Sequence, residues 1–204
     1  MSPDRPHSPA AERNREPILE VLRHALPDEA SVLEIGAGTG QHAAFFTARQ
    51  PGWSWTPTTA PDELDTLVAG LDGLDRPGLG RPASLDVATA SDWPEPGFDA
   101  VFAANVVHIA PEPAARALVS GAARVLAPRG RLVLYGPFTR GGRHSAESNR
   151  RFDRELRSRG VGSALRDIDD LDRWATAVGL VRVADIAMPA NNLTLIYEHA
   201  QAGG

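Results

Sequence analysis

The sequence predicts an α/β fold, a doubly wound sheet of seven strands, mostly parallel and closing on an antiparallel hairpin. Three observations carry this. Short β-rich runs alternate with amphipathic helical stretches over most of the chain, the pattern of successive β-α-β units. The first run empties into a glycine-rich turn, Glu34-Ile35-Gly36-Ala37-Gly38-Thr39-Gly40, and a helical stretch follows at once. The last two runs are joined by so short a loop that they must pair antiparallel.

In order, Ser2 to Glu16 carries three prolines and few apolar residues, which predicts an arm over 1–16 lying on a domain spanning 17–199, with a flexible tail at 200–204. Helix is expected from Pro17, with Ile18, Leu19, Val21, Leu22, Ala25 and Leu26 at helical spacing and Pro27 as its end. Ser31–Ile35 reads as the first strand and Gln41–Arg49 as the helix after the turn. A second strand, Ser54–Thr58, a helix over Pro61–Leu71 and a short third strand, Ala83–Asp86, follow. Phe98–Ala104 is the fourth strand, Pro113–Leu126 a helix and Gly130–Tyr135 the fifth strand. Asn149–Arg159 and Asp169–Val178 read as helices before the closing strands Val181–Met188 and Leu193–His199.

A chain of 204 residues is long enough for one well-buried core and too short for two ordinary domains. Its hydrophobic share of 42% and charged share of 23% are those of a globular protein. With no cysteine, disulfides, thiolate metal sites and a cysteine nucleophile are excluded, in keeping with a reducing cytoplasm. A net charge of −5 without lysine-rich stretches argues against nucleic acid as a partner and for a small-molecule substrate. No signal peptide and no run of roughly 20 apolar residues is present, so a cytoplasmic protein without a membrane partner is expected.

Gly36, Gly38 and Gly40 remove side chains where a strand turns into a helix, letting a ligand approach backbone amides at the helix start. Dinucleotide-binding turns use G-x-G-x-x-G; here the string is G-x-G-x-G, with Gln41 where the third glycine of that pattern would stand. Glu34, two positions before the first glycine, would repel a pyrophosphate and suit a cationic ligand. This order of acid and glycines resembles motif I of class I methyltransferases, whose sulfonium cofactor is S-adenosylmethionine. The resemblance implies a Rossmann-like sheet of strand order 3-2-1-4-5-7-6, with Glu34, Gly36, Ala37, Gly38 and Gly40 around the cofactor. It implies further that Asp86 and Val87 meet the adenine, and that Asn105 and Val106, in Ala104-Asn105-Val106-Val107-His108-Ile109, pass beneath the methionine part. The acid that clasps the ribose hydroxyls in that fold usually ends strand two, where this chain has Thr56-Pro57-Thr58-Thr59-Ala60-Pro61. Either Thr59 makes a weaker hydrogen bond, or Asp62 reaches back from the following helix, or the site is weakened.

Further strings resemble one narrow family, the small uncharacterised group that includes methyltransferase-like protein 26. They are Ser8-Pro9-Ala10-Ala11-Glu12-Arg13-Asn14, Gly40-Gln41-His42, His108-Ile109-Ala110-Pro111, Leu134-Tyr135-Gly136-Pro137-Phe138, Gly141-Gly142-Arg143-His144, Ser148-Asn149 with Phe152-Asp153, and Met188-Pro189-Ala190-Asn191-Asn192-Leu193. They run from Ser8 to about Tyr197, and the resemblance implies methyl transfer without naming an acceptor. Thr58-Thr59 departs from the Ser-Asp expected there.

Displacement at a sulfonium methyl needs alignment above all, and a base only if the acceptor is protonated. His108, following strand four, is the candidate base. Tyr135, ending strand five, faces the same crevice, to hold the acceptor or flank the sulfonium. Arg13 and Asn14, before the first helix, are read as a lid over the cofactor carboxylate, and His42 as part of the same wall. Arg143 and His144, beside Arg140, are candidates for an anionic substrate group, with Asn149 and Asn191 added from the family strings. No metal is expected: H-E-x-x-H is absent, and Asp169-Asp170 is explained by helix capping. No G-x-S-x-G elbow supports a hydrolase, and the glycine spacing disfavours a nicotinamide reductase. Transfer to an oxygen or nitrogen of a small molecule is the leading reading, with a cofactor-binding module that no longer methylates as its alternative.

Overall fold

The computed structural model describes residues 5–200. Its first helix, α1 (Pro9–Ala25), starts well before Pro17. Ser8 is its N-cap, accepting from the Ala11 amide at 3.3 Å, and Pro9 takes the first turn where its missing N–H costs nothing. Pro17 sits inside the helix, at a cost of roughly 3 kcal/mol, offset by buried Ile18, Leu19 and Leu22 after it and buried Asn14 before it. The expected arm is therefore helix from residue 9 onward; residues 1–4, and 201–204 of the expected tail, lie outside the described residues.

There follow β1 (Ala30–Ile35), α2 (Gln41–Arg49), β2 (Trp53–Thr59), α3 (Leu64–Leu71), β3 (Ala83–Ser84), β4 (Phe98–Ala104), α4 (Glu112–Val125) and β5 (Leu126–Gly136). A two-residue ribbon, β6 (Thr139–Arg140) with β7 (Arg143–His144), leads to α5 (Glu147–Ser158), α6 (Ile168–Ala177), β8 (Leu180–Met188) and β9 (Asn192–His199). The seven-stranded sheet runs β3-β2-β1-β4-β5-β9-β8, the expected order once the ribbon is left out of the count. β9 pairs antiparallel with both β5 and β8, and all other neighbours are parallel.

The period of two along the strands divides the core. Val32, Phe102, Val133 and Ile196 face α1 and α2, with Phe46 and Trp55 filling that side. Leu33, Val101, Leu132 and Leu195 face α4 and α6, which contribute Leu118, Val119 and Leu171. Among the boundaries that differ from expectation, two have a plain local cause. β3 stops at Ser84, because Asp86 turns the chain by accepting from the Ala88 amide at 2.9 Å. α6 is capped by Asp167, which accepts from the Asp169 amide at 3.0 Å, so Asp169 and Asp170 lie inside the first turn instead of capping it.

Candidate functional site

The glycine turn is fastened to β2. Thr58 donates its hydroxyl to the Glu34 carbonyl at 2.6 Å and accepts the Ala37 amide on its own carbonyl at 2.8 Å. Gly36, Gly38 and Gly40 all have positive φ, 68°, 54° and 71°, so side chains there would be strained. Added methyl groups separate their roles. At Gly36 one would strike Val106 and at Gly40 it would strike Leu71, whereas at Gly38 it meets nothing within 4 Å. Gly38 therefore opens onto free space and Gly40 onto the core.

Three adjoining cavities meet at the carboxyl ends of β1, β4 and β5, where a parallel sheet gathers its ligands. An acidic chamber of about 540 Å³ has Gly36, Gly38, Asp62, Glu63, Asp86, Val87 and Val106 in its walls. A central chamber of about 490 Å³ is lined by Arg13, Gly36, Ala37, Gly38, Thr39, His42, His108 and Phe152, among others. An amide chamber of about 450 Å³ is formed by Ala10, Arg13, Asn14, Tyr135, Pro189, Ala190 and Asn192. Asn105 lines all three. It stands in the left-handed region, φ 62°, and its amide donates to the Tyr135 carbonyl at 2.8 Å, which ties the end of β4 to the end of β5. Ala190 and Asn191 are left-handed as well, φ 58° and 60°, beside the amide chamber. Non-glycine residues in this region store strain of order 1–3 kcal/mol and cluster at functional sites.

Several expected residues sit one layer behind the walls. Glu34 is 1% exposed and turned inward: Trp55 donates its indole N–H to Oε2 at 2.7 Å, and His42 Nδ1 lies 3.7 Å from Oε1. Both of its carboxylate oxygens are thus engaged inside the fold, behind the turn. His42 Nε2 in turn pairs with Asn14 Oδ1 at 2.7 Å, and the ring stacks on Phe46. Arg13 and Asn14 belong to α1 rather than to a loose lid, with Asn14 buried. Thr59, 1% exposed, faces no chamber; its hydroxyl donates to Glu63 Oε2 at 2.8 Å. Glu63, held by Thr59, places a carboxylate in the wall of the acidic chamber one turn after β2. Asp62, the acid the sequence suggests, lines the same chamber beside Glu63, and the Thr59-x-x-x-Glu63 spacing is the signal in the sequence for the second acid.

The substrate candidates lie apart from the three chambers. Arg143 is exposed on the β6–β7 ribbon, and His144 faces Asp153, Nε2 to Oδ2 3.0 Å, in a separate polar cavity. Asn149 is buried and donates to the Asn191 carbonyl at 2.9 Å and the Ser145 hydroxyl at 3.0 Å. None of these four lines the chambers; Asn149 and Asn191 instead fix the strained turn between β8 and β9.

His108 is 1% exposed, packs edge-on to Phe152, and its Nδ1 has no hydrogen-bond partner. Burial, reinforced by the charge of Arg166, lowers its pKa to about 4, so the imidazole is neutral near pH 7. Arg166, which the sequence did not single out, staples the His108 loop: Nε donates to Val107 O at 2.9 Å and Nη2 to Ala110 O at 2.6 Å and Gly162 O at 3.0 Å. Burial raises the Tyr135 phenol above its ordinary pKa, opposed by Asn14, Asn192 and the charge of Arg13. Asp86 reaches the acidic chamber while both carboxylate oxygens also hold its own turn, at Ala88 N and Thr89 Oγ1. Among the described residues no cluster of three or more metal-ligating side chains occurs, and no helix is long and apolar enough to cross a membrane.

The family model described as "Protein of unknown function (DUF938)" matches residues 5–199. Among solved structures, an O-methyltransferase family protein from Burkholderia thailandensis superimposes with a TM-score of 0.78 at 16% identity, over 95% of this chain and 58% of that one. Human N-acetylserotonin methyltransferase in complex with SAM gives 0.76 at 14% identity, over 94% and 53%. An O-methyltransferase family 2 protein from Planctomyces limnophilus in complex with apigenin gives 0.74 at 16%, over 94% and 60%. These likenesses establish the class I methyltransferase fold, and the chain spans less than two thirds of the length of each of these proteins.

Proposed function

The chain belongs to the DUF938 family of proteins of unknown function, and we propose that it is an S-adenosylmethionine-dependent methyltransferase acting on an oxygen or nitrogen of a small molecule. The observation that carries this reading is the meeting of three chambers at Asn105, with Gly38 open to the space between two of them. One elongated ligand and a second, smaller one can be held end to end there. The residues present fit the cofactor. Glu63 and Asp86 offer carboxylates to hydroxyl and amino groups at one end, the backbone of Ala37 to Thr39 lines the middle, and Arg13 supplies a cation for a carboxylate. When bound, the cofactor supplies an activated methyl group.

The chain's own contribution is alignment and proton handling. Asn105, held to Tyr135, fixes the boundary between the central and amide chambers, so two ligands are oriented by one backbone segment. Asn14, Tyr135 and Asn192 offer neutral hydrogen bonds to an acceptor in the amide chamber. His108, in the wall of the central chamber, is kept neutral by burial and offers an uncharged imidazole to a ligand there, a weak base at a pKa of about 4. The narrower kinship with methyltransferase-like protein 26 rests on the strings from Ser8 to Tyr197.

Calorimetric titration with S-adenosylhomocysteine, beside a Gly38→Arg variant, tests the reading. Saturable binding in the wild type and its loss in the variant are expected; no binding at millimolar ligand refutes it. Transfer of label from methyl-tritiated S-adenosylmethionine to low-molecular-weight compounds then separates the enzyme from a binding module, which would bind without turnover.

A further inference from the structure

Beside α1 and α2, sharing no lining residue with the three chambers, a cavity of about 400 Å³ is lined by Arg5, His7, Arg15, Arg49 and Arg76, with Phe45 at its base. The guanidinium carbons of Arg15 and Arg49 lie 4.5 and 3.7 Å from the centre of the Phe45 ring, so one aromatic ring carries two cations. Backbone contacts orient two more: Arg76 Nη1 donates to Ala44 O at 2.6 Å and Arg5 Nη2 to Asp72 O at 2.8 Å.

Among the described residues no carboxylate lines this cavity. Two approach from its rim on α1: Glu12 pairs with Arg15 at 2.5 Å and Glu16 with Arg49 at 3.6 Å. Arg5 and Arg76 form no ion pair with a described residue, which leaves an excess of positive charge in one concavity of a chain whose net charge is −5. Like charges so gathered repel unless an anion joins them. Every cation in this chain that is not histidine is arginine, whose planar fork matches the oxygens of a phosphate. The volume exceeds that of one phosphate and accommodates a diphosphate or a small phosphate ester.

We propose that this arginine cavity is a binding site for a small, multiply charged phosphate compound, separate from the chambers around Asn105. The site is independent of the methyltransferase reading, since none of its arginines lines those chambers.

The test is titration of the full chain with sodium pyrophosphate, in parallel with a short single-stranded RNA oligonucleotide as the polymeric source of the same chemistry. The variants are Arg49→Gln, whose guanidinium sits over the Phe45 ring and pairs with Glu16, and Arg76→Gln. Saturable pyrophosphate binding, weakened about tenfold or more in each variant and by added salt, is expected, with S-adenosylhomocysteine binding unchanged in Arg49→Gln. No saturable pyrophosphate binding, or binding that neither variant weakens, overturns the proposal. RNA bound at least about tenfold more tightly than pyrophosphate, with the same sensitivity to the variants, overturns the small-ligand assignment.

Discussion

Acidification is the most direct way to read the burial of His108. In the unfolded chain its imidazole has the ordinary pKa of 6.5, while in the fold it is lowered to about 4. Between those values the unfolded chain binds a proton that the folded chain refuses, so stability is full above the unfolded pKa and falls as the pH drops through the window. Each unit is worth about 1.4 kcal/mol, and from pH 7 to about pH 4.5 the loss sums to roughly 2.4 kcal/mol. At 1% exposure solvent screening removes little of this. The carboxylates with depressed pKa, Asp153, Asp167 and Asp185, titrate below this window and add their losses only at lower pH. Urea unfolding at the two pH values, for the wild type and His108→Gln, isolates the histidine. The wild type should lose roughly 2.4 kcal/mol more than the variant; equal losses would refute the claim that His108 is buried neutral.

Glu63→Gln should weaken S-adenosylhomocysteine about tenfold by calorimetry, Thr59→Val by less, and Asp62→Asn by under about threefold; a loss in Asp62→Asn matching that in Glu63→Gln would remove Glu63 from the site. Arg166→Met should cost about 2–3 kcal/mol in urea unfolding, because the buried Val107 carbonyl and the part-buried carbonyls of Ala110 and Gly162 lose a charged donor, and a cost below about 1 kcal/mol would show that the loop holds without its staple.

The strand order and the placing of the glycine turn were legible because each rests on local pattern: apolar runs of period two, a helical period between them, and glycines where φ must be positive. The start of α1 was misread because composition says little about whether a polar segment finds a surface. Ser8 and Pro9 form a good helix start, yet the helix is stabilised by contacts near residues 42–49 that adjacent sequence does not reveal. Glu63 was not legible for a related reason: nothing local distinguishes it from Asp62, and the hydroxyl of Thr59 that holds it is identified only by the fold. The inward turn of Glu34 onto Trp55 was not legible, since strand alternation gives a face but not what that face meets. Arg143, His144, Asn149 and Asn191 came from strings of a resemblance, and the structure shows that two of them tie a turn while the other two lie outside the chambers.

The amide chamber joins distant parts of the chain. One wall is Ala10, Arg13 and Asn14, and the facing one is Pro189, Ala190 and Asn192. During synthesis from the amino end, the first wall leaves the ribosome long before the second exists. Any ligand that needs both walls can stabilise only the finished chain, so ligand-dependent protection from proteolysis should appear abruptly at the last strand pair rather than grow with chain length.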